Sequence, residues 1–265
     1  MFTIEKNTII NFSKLSDYNP IIIHFNGGSY GNFIYRMMHK HLGNLPQIHD
    51  DLLYNSNGNS HSIYDNAYFD DFYSNDYKKD LKCQFDIKSD YIVIKKHCFP
   101  KISYDKSPLA KIAKLNIVVT FNNKSDAIWS YIQNIIKIES LAPFDRFDKI
   151  NPEWFTENHI DQLQNIIKIF DKMIVAVHKS WYMDLTNENT ICIKLNEILD
   201  TQSFYNFLKT LSKILDVSLN EKDLIMNSHK NFIDKQKLLG SYYNNYNKAW
   251  DETNLVDLCL KRFLS

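Results

Sequence analysis

Asn26-Gly27-Gly28-Ser29-Tyr30-Gly31-Asn32 stands between a short β-branched run and the start of a helical pattern. Glycines there let successive backbone N–H groups turn inward, and a helix N-terminus adds partial positive charge, so the loop is a candidate cradle for a phosphate or sulfate group. A Walker-type loop needs Gly-Lys-Ser/Thr at this point; the chain has Gly31-Asn32-Phe33 and no lysine. A second set ends another apolar run as Lys95-Lys96-His97. Strand alternation puts Lys95 and His97 on one face, a cation for anionic oxygens beside an imidazole that titrates near neutrality and can take a proton. A third set, Asn122, Asn123 and Ser130, offers amide and hydroxyl donors suited to a phosphate. Transfer from ATP needs Mg²⁺, commonly held by an acid at a strand end. The strand ends carry Lys96-His97, Asn122-Asn123 and Asn196-Glu197, of which only the last is acidic. A transfer that needs no metal fits these residues better.

The elements that must position these groups follow from hydrophobic pattern. Ile21–Ile23, Tyr91–Lys95, Leu115–Phe121 and Asn189–Leu195 are short, apolar and rich in β-branched residues, as buried parallel strands are. Helical spacing links Phe33, Ile34, Met37, Met38, His41 and Leu42, then runs over 126–138, over 157–182, and through Phe204, Phe207, Leu208, Leu211, Ile214 and Leu215. The tail from 219 onward reads as helical, polar and rich in Tyr. Strands separated by helices or long crossovers predict an α/β fold with a parallel sheet and flanking helices, in a single domain over 1–265. Residues 43–90 differ: Asn, Asp, Ser and Tyr abound without periodicity, and the aromatic content predicts an insertion that packs beside a site.

Composition bounds the function. The chain has 265 residues, 44% of them hydrophobic, and 31 basic residues cancel 31 acidic ones. That balance argues against a nucleic-acid-coating or polybasic membrane protein. Arg36, Arg146 and Arg262 are the only arginines, so anion binding falls to Lys, hydroxyls, amides and backbone N–H groups. The four cysteines form no CxxC and no cluster with histidine, which points to reduced thiols and away from a zinc or disulfide scaffold. The N-terminus lacks the pattern of a signal peptide and no apolar run approaches a membrane span, so the expectation is a soluble cytoplasmic protein.

In this order the segments resemble the PAPS-dependent sulfotransferase family. GGSYGNF (27–33) is similar to the 5′-phosphosulfate loop, with Gly28 where the family has Lys or Arg. IVIKKHCFP (92–100) resembles the strand ending in Lys-Thr-His-x-Pro, whose histidine is the catalytic base of the cytosolic branch. NIVVTFNNKSDAIWSY (116–131) is similar to the 3′-phosphate strand and helix. Asp126 and Ser130 keep the family's Asp/Ser spacing, and Asn122 stands in place of its arginine. AVHKSWYMDL and ICIKLNEIL, within 176–199, resemble the family's His-Val-x-x-Trp and the strand before Tyr-Glu-Asp-Leu. No C-terminal Arg-Lys-Gly loop is recognisable.

The resemblance implies a P-loop NTPase-like sulfotransferase fold and transfer of a sulfuryl group from PAPS, as co-substrate and without a metal, to a hydroxyl or amine. Gly27, Gly28, Ser29, Tyr30, Gly31 and Asn32 would take the 5′-phosphosulfate, and Asn122 and Ser130 the 3′-phosphate. His97 would be the base and Lys95 would steady the sulfuryl oxygens. Small-molecule, glycan and peptide acceptors all remain open, as does the oligomeric state. Two other classes fit the same loop: a metal-dependent nucleotide or small-molecule kinase using Glu197 or Asp126, and a catalytically degenerate nucleotide binder.

Overall fold

In the computed structural model, residues 1–26, 29–46, 72–73, 81–83, 86–98, 103–124, 126–127, 179–182 and 188–234 are described. The expected helices over 126–138 and 157–182, most of the 43–90 insertion, and Gly27, Gly28 and Ser130 lie outside the described residues, apart from short pieces noted below.

Nine strands are described: β1 (Phe2–Ile4), β2 (Ile9–Ile10), β3 (Pro20–Phe25), β4 (Phe72–Tyr73), β5 (Leu81–Lys82), β6 (Ile87–Ser89), β7 (Ile92–His97), β8 (Leu115–Thr120) and β9 (Thr190–Lys194). The main sheet has the order β4-β7-β3-β8-β9, and every pairing in it is parallel. The fold is therefore α/β with a parallel sheet, four full strands and the two-residue β4 at one edge. All six residues of β3 and of β8 are buried, which is why both read as continuous apolar runs rather than alternating ones. From β3 the chain goes to β4 and β7 on one side, then crosses to β8 and β9 on the other.

Helices cover the sheet on both faces. Helix α1 (Gly31–His41) follows β3 and buries Phe33, Ile34, Met37 and Met38. Helix α2 (Pro108–Ile112) opens with Pro at its first position, where no N–H is needed. After β9 come α3 (Leu195–Leu199) and α4 (Thr201–Leu215). Asp200 caps α4, its side chain accepting from the Ser203 N–H at 2.8 Å. Residues 222–234 are helical as well. Alternation along β3 assigns the faces: the Phe25 ring lies under Gly31 of α1, while His24 bonds Asn116, whose amide reaches the carbonyl of Ala110 in α2.

Two small antiparallel ribbons were not legible in the sequence. The chain start pairs with the end of the 43–90 segment, β1 with β6 and β2 with β5. Part of that segment is thus woven into the fold, and Cys83 and Ile87 join the core. Among the described residues no helix is long and apolar enough to cross a membrane.

Candidate functional site

Ligands of open parallel sheets bind beyond the carboxyl ends of the strands, where successive connections leave in opposite directions. Here that point is the end of β3 and its neighbour β8. Asn26 directly follows β3 and the loop leads into α1, so the strand order brings the glycine-rich segment to the place where such folds hold ligands.

The described half of the loop is tightly built. Ser29 is fully buried, and both its N–H (3.1 Å) and its hydroxyl (2.6 Å) donate to the carbonyl of Asn26. Tyr30, next in the chain, takes a left-handed conformation (φ 61°, ψ 20°) as the N-cap of α1 and supplies no side-chain cap. Burial raises its phenol above the usual tyrosine range. The first N–H groups of a helix stand outside its own hydrogen-bond ladder, and α1 begins at Gly31. Asn32 is buried. Gly31 also has a packing role, because a Cβ there would overlap the Phe25 ring.

Lys95 pairs with Ile23 in the register of β7 and β3. It is buried beneath α1, its ammonium 5.3 Å from the centre of the Tyr35 ring. That contact is with the second turn of the helix, one turn past the glycine-rich loop. Its charge acts on His39, which burial pushes down to about 3 despite a 2.8 Å bond from its Nδ1 to the carbonyl of Pro46. The backbone of His97 pairs with Phe25 and Tyr73 at the carboxyl edge, next to the loop.

After β8, Asn122 is exposed. Asn123 starts the next helical turn: its Oδ1 accepts from the Asp126 N–H at 2.9 Å and its Nδ2 donates to the Asp126 carboxylate at 3.3 Å. Glu197 is likewise occupied, accepting from the Lys194 N–H at 2.7 Å. Among the described residues no three His, Cys, Asp or Glu side chains gather where they could hold a metal ion.

One polar network escaped the sequence reading. His24 Nε2 lies 2.8 Å from Asn116 Oδ1, and Asn116 Nδ2 donates to the Ala110 carbonyl at 3.0 Å. Since the amide oxygen is the acceptor, Nε2 carries the proton and Nδ1 is bare, facing Cys98 Sγ at 3.9 Å. Burial pushes His24 down to about 4 and the Cys98 thiol up to about 12, the nearby Lys96 charge adding to the first shift and opposing the second. The proton therefore stays on sulfur, and this Cys–His–Asn chain is a neutral network rather than a thiolate–imidazolium nucleophile. Its signal was present: His24 and Asn116 are the polar interruptions of two adjacent apolar runs, and each is the other's partner.

Two further polar atoms lie at the same strand ends. Asn26 Oδ1 and Thr120 Oγ1 are buried without a hydrogen-bond partner, as is Trp181 Nε1. The carbonyl of Trp181 accepts from the Phe121 N–H at 2.7 Å, which seats the turn Lys179–Trp181 against the end of β8. Compared with known proteins, the chain matches no family model, no curated protein and no solved structure.

Proposed function

We propose that the protein is a PAPS-dependent sulfotransferase on a P-loop-like α/β fold, moving a sulfuryl group to a hydroxyl or amine of an acceptor. The observation that carries this reading is the loop Asn26–Asn32: it joins the central strand to the start of α1, at the carboxyl edge of a parallel sheet, and the N-cap Tyr30 makes no side-chain capping bond. A lysine-free loop of this kind binds an anion through backbone N–H groups and the helix dipole.

In the proposed reaction the 5′-phosphosulfate lies on this loop. His97, at the adjoining strand end, takes the proton of the acceptor O–H or N–H as the acceptor attacks sulfur. The bond from sulfur to the bridging oxygen breaks, and adenosine 3′,5′-bisphosphate leaves. Lys95 acts from beneath α1 as a fixed positive charge rather than as a direct ligand, which is a smaller role than the resemblance implies. Asn122 faces solvent at the end of β8, where a neutral amide would meet the 3′-phosphate.

A kinase reading draws less support, because the two carboxylates it would use are engaged locally, Asp126 accepting from the Asn123 amide and Glu197 from the Lys194 N–H. Calorimetric titration with adenosine 3′,5′-bisphosphate and with MgATP tests the proposal. Preference for the bisphosphate is expected; preference for MgATP overturns it. Binding of the bisphosphate with no turnover of PAPS on a panel of sugar, phenol and amine acceptors would leave the degenerate-binder reading. His97→Ala is expected to lower kcat about 10²- to 10⁴-fold with donor affinity kept.

A further inference from the structure

The helical residues 222–234 reach back across the chain to the glycine-rich loop. Phe232 stacks on Phe33 in the first turn of α1, ring centroids 3.7 Å apart and planes 11° from parallel. It also meets the Tyr30 ring edge-on at 5.7 Å. One turn before it, the fully buried His229 packs against Phe33 at 5.6 Å and Phe204 at 5.0 Å. Both of its ring nitrogens are engaged: Nε2 donates to the Ile198 carbonyl at 2.7 Å, and Nδ1 accepts from the Thr201 hydroxyl at 3.0 Å. One helix thus ties the α3–α4 junction to the loop.

Tyr30 needs such a tie. A residue with a Cβ is disfavoured at φ 61°, and it stays there only when its surroundings fix it. Its side chain makes no capping bond that would do so. The aromatic contact from Phe232 lies at the point where the chain turns from loop to helix.

We infer that helix 222–234 is a clasp on the glycine-rich loop, in which Phe232 holds Tyr30 and Phe33 in the arrangement that starts α1, and that docking of this helix is coupled to ligand binding at the loop. Phe232 is a positioning residue; it acts through Tyr30 and Phe33. Coupling of this kind is reciprocal: whatever binds the ordered loop also strengthens docking of the helix, and loosening the helix weakens binding at the loop. The clasp itself does not depend on the identity of the ligand, whereas the coupling is tested with the donor product proposed above.

Hydrogen exchange on the full-length protein separates these claims. Without ligand, Phe232→Ala is expected to speed exchange of amides 34–37, whose ladder begins with the Ile34 N–H on the Tyr30 carbonyl, about tenfold relative to wild type, with amides 116–119 of β8 unchanged. Phe232→Tyr, which keeps the ring, should restore protection. Unchanged exchange at 34–37, or an equal rise at 34–37 and 116–119 reflecting general destabilisation, overturns the clasp. With adenosine 3′,5′-bisphosphate added to wild type, slower exchange is expected both at 31–34 and at 222–234. Protection of the loop alone overturns the coupling. If the bisphosphate binds nowhere, the donor assignment fails, and the ligand-free exchange still decides the clasp.

Discussion

The ring of Phe25 fills the space that a side chain on Gly31 would need. The last residue of the central strand and the first of α1 are therefore fitted to each other across the loop, and the absence of a Cβ at 31 is what lets the helix descend so closely onto the strand. The same glycine that reads in the sequence as part of an anion cradle is required by packing before any ligand arrives.

Gly31→Ala tests that fit. Overpacking of this kind costs about 1–3 kcal/mol, so the midpoint of urea unfolding should fall. In the double variant Phe25→Leu/Gly31→Ala most of the loss should be recovered, because the two changes share one space. Additive losses would mean that the ring yields without strain.

Thr120 offers the opposite sign. Its hydroxyl is buried at the end of β8 without a partner, a state that costs about 1–3 kcal/mol for a polar group. Thr120→Val keeps the shape and removes the hydroxyl, so thermal stability should rise. A fall in melting temperature would show that the hydroxyl is satisfied in solution.

Stability should fall with acid over a defined window. His24 and His39 are buried and held to about 4 and about 3 by that burial, while in the unfolded chain both titrate near 6.5. Folded pKa values below unfolded ones mean that the unfolded state binds more protons between them. The contribution is therefore complete above about pH 6.5, declines as pH falls, and levels off below the folded values. Each histidine contributes a slope of up to about 1.4 kcal/mol per pH unit. Urea midpoints measured at pH 7 and pH 5 should differ clearly, and His24→Gln should flatten the difference. Equal midpoints at the two pH values would contradict the burial of both rings.

Asn122→Arg addresses the 3′-phosphate. Asn122 is exposed beside the carboxyl edge, and under the proposed function a guanidinium there would add a charge-assisted bond to the 3′-phosphate where an amide offers a neutral one, a gain of about 1–2 kcal/mol. Affinity for adenosine 3′,5′-bisphosphate should rise, with that for adenosine 5′-monophosphate unchanged. If both affinities move, or neither does, the side chain does not meet the 3′-phosphate.

The sheet was legible in the sequence to the extent that its strands are buried on both faces. Ile21–Ile23, Ile92–Lys95 and Leu115–Phe121 carry that signal within themselves, and so does the amphipathic spacing of α1 and α4; Asn189–Leu195, at the sheet edge and mostly half-buried, was legible from its β-branched run instead. The ribbons were not legible, because β1, β2, β5 and β6 are two or three residues long and owe their form to partners some eighty positions away. The loop could be found as a cluster of glycines before a helix. That Ser29 turns inward, that Gly31 serves a ring and that Lys95 lies under Tyr35 are tertiary facts, and no spacing rule encodes them. His24 and Asn116 could have been read as a pair, since a polar residue in an all-apolar strand must find a partner on a neighbouring one.

The order of pairing has a consequence for biosynthesis. The central strand β3 is the first of the main sheet to be made, yet both of its partners, β7 and β8, come much later in the chain. Until they emerge, Ile21, Ile22 and Ile23 have two open edges and two uncovered faces, the state in which nascent segments aggregate or recruit chaperones. Assembly must wait for contacts of long sequence separation, which makes folding slow. Translation speed over residues 26–115 thereby sets how long this apolar strand stays unpaired in the nascent chain.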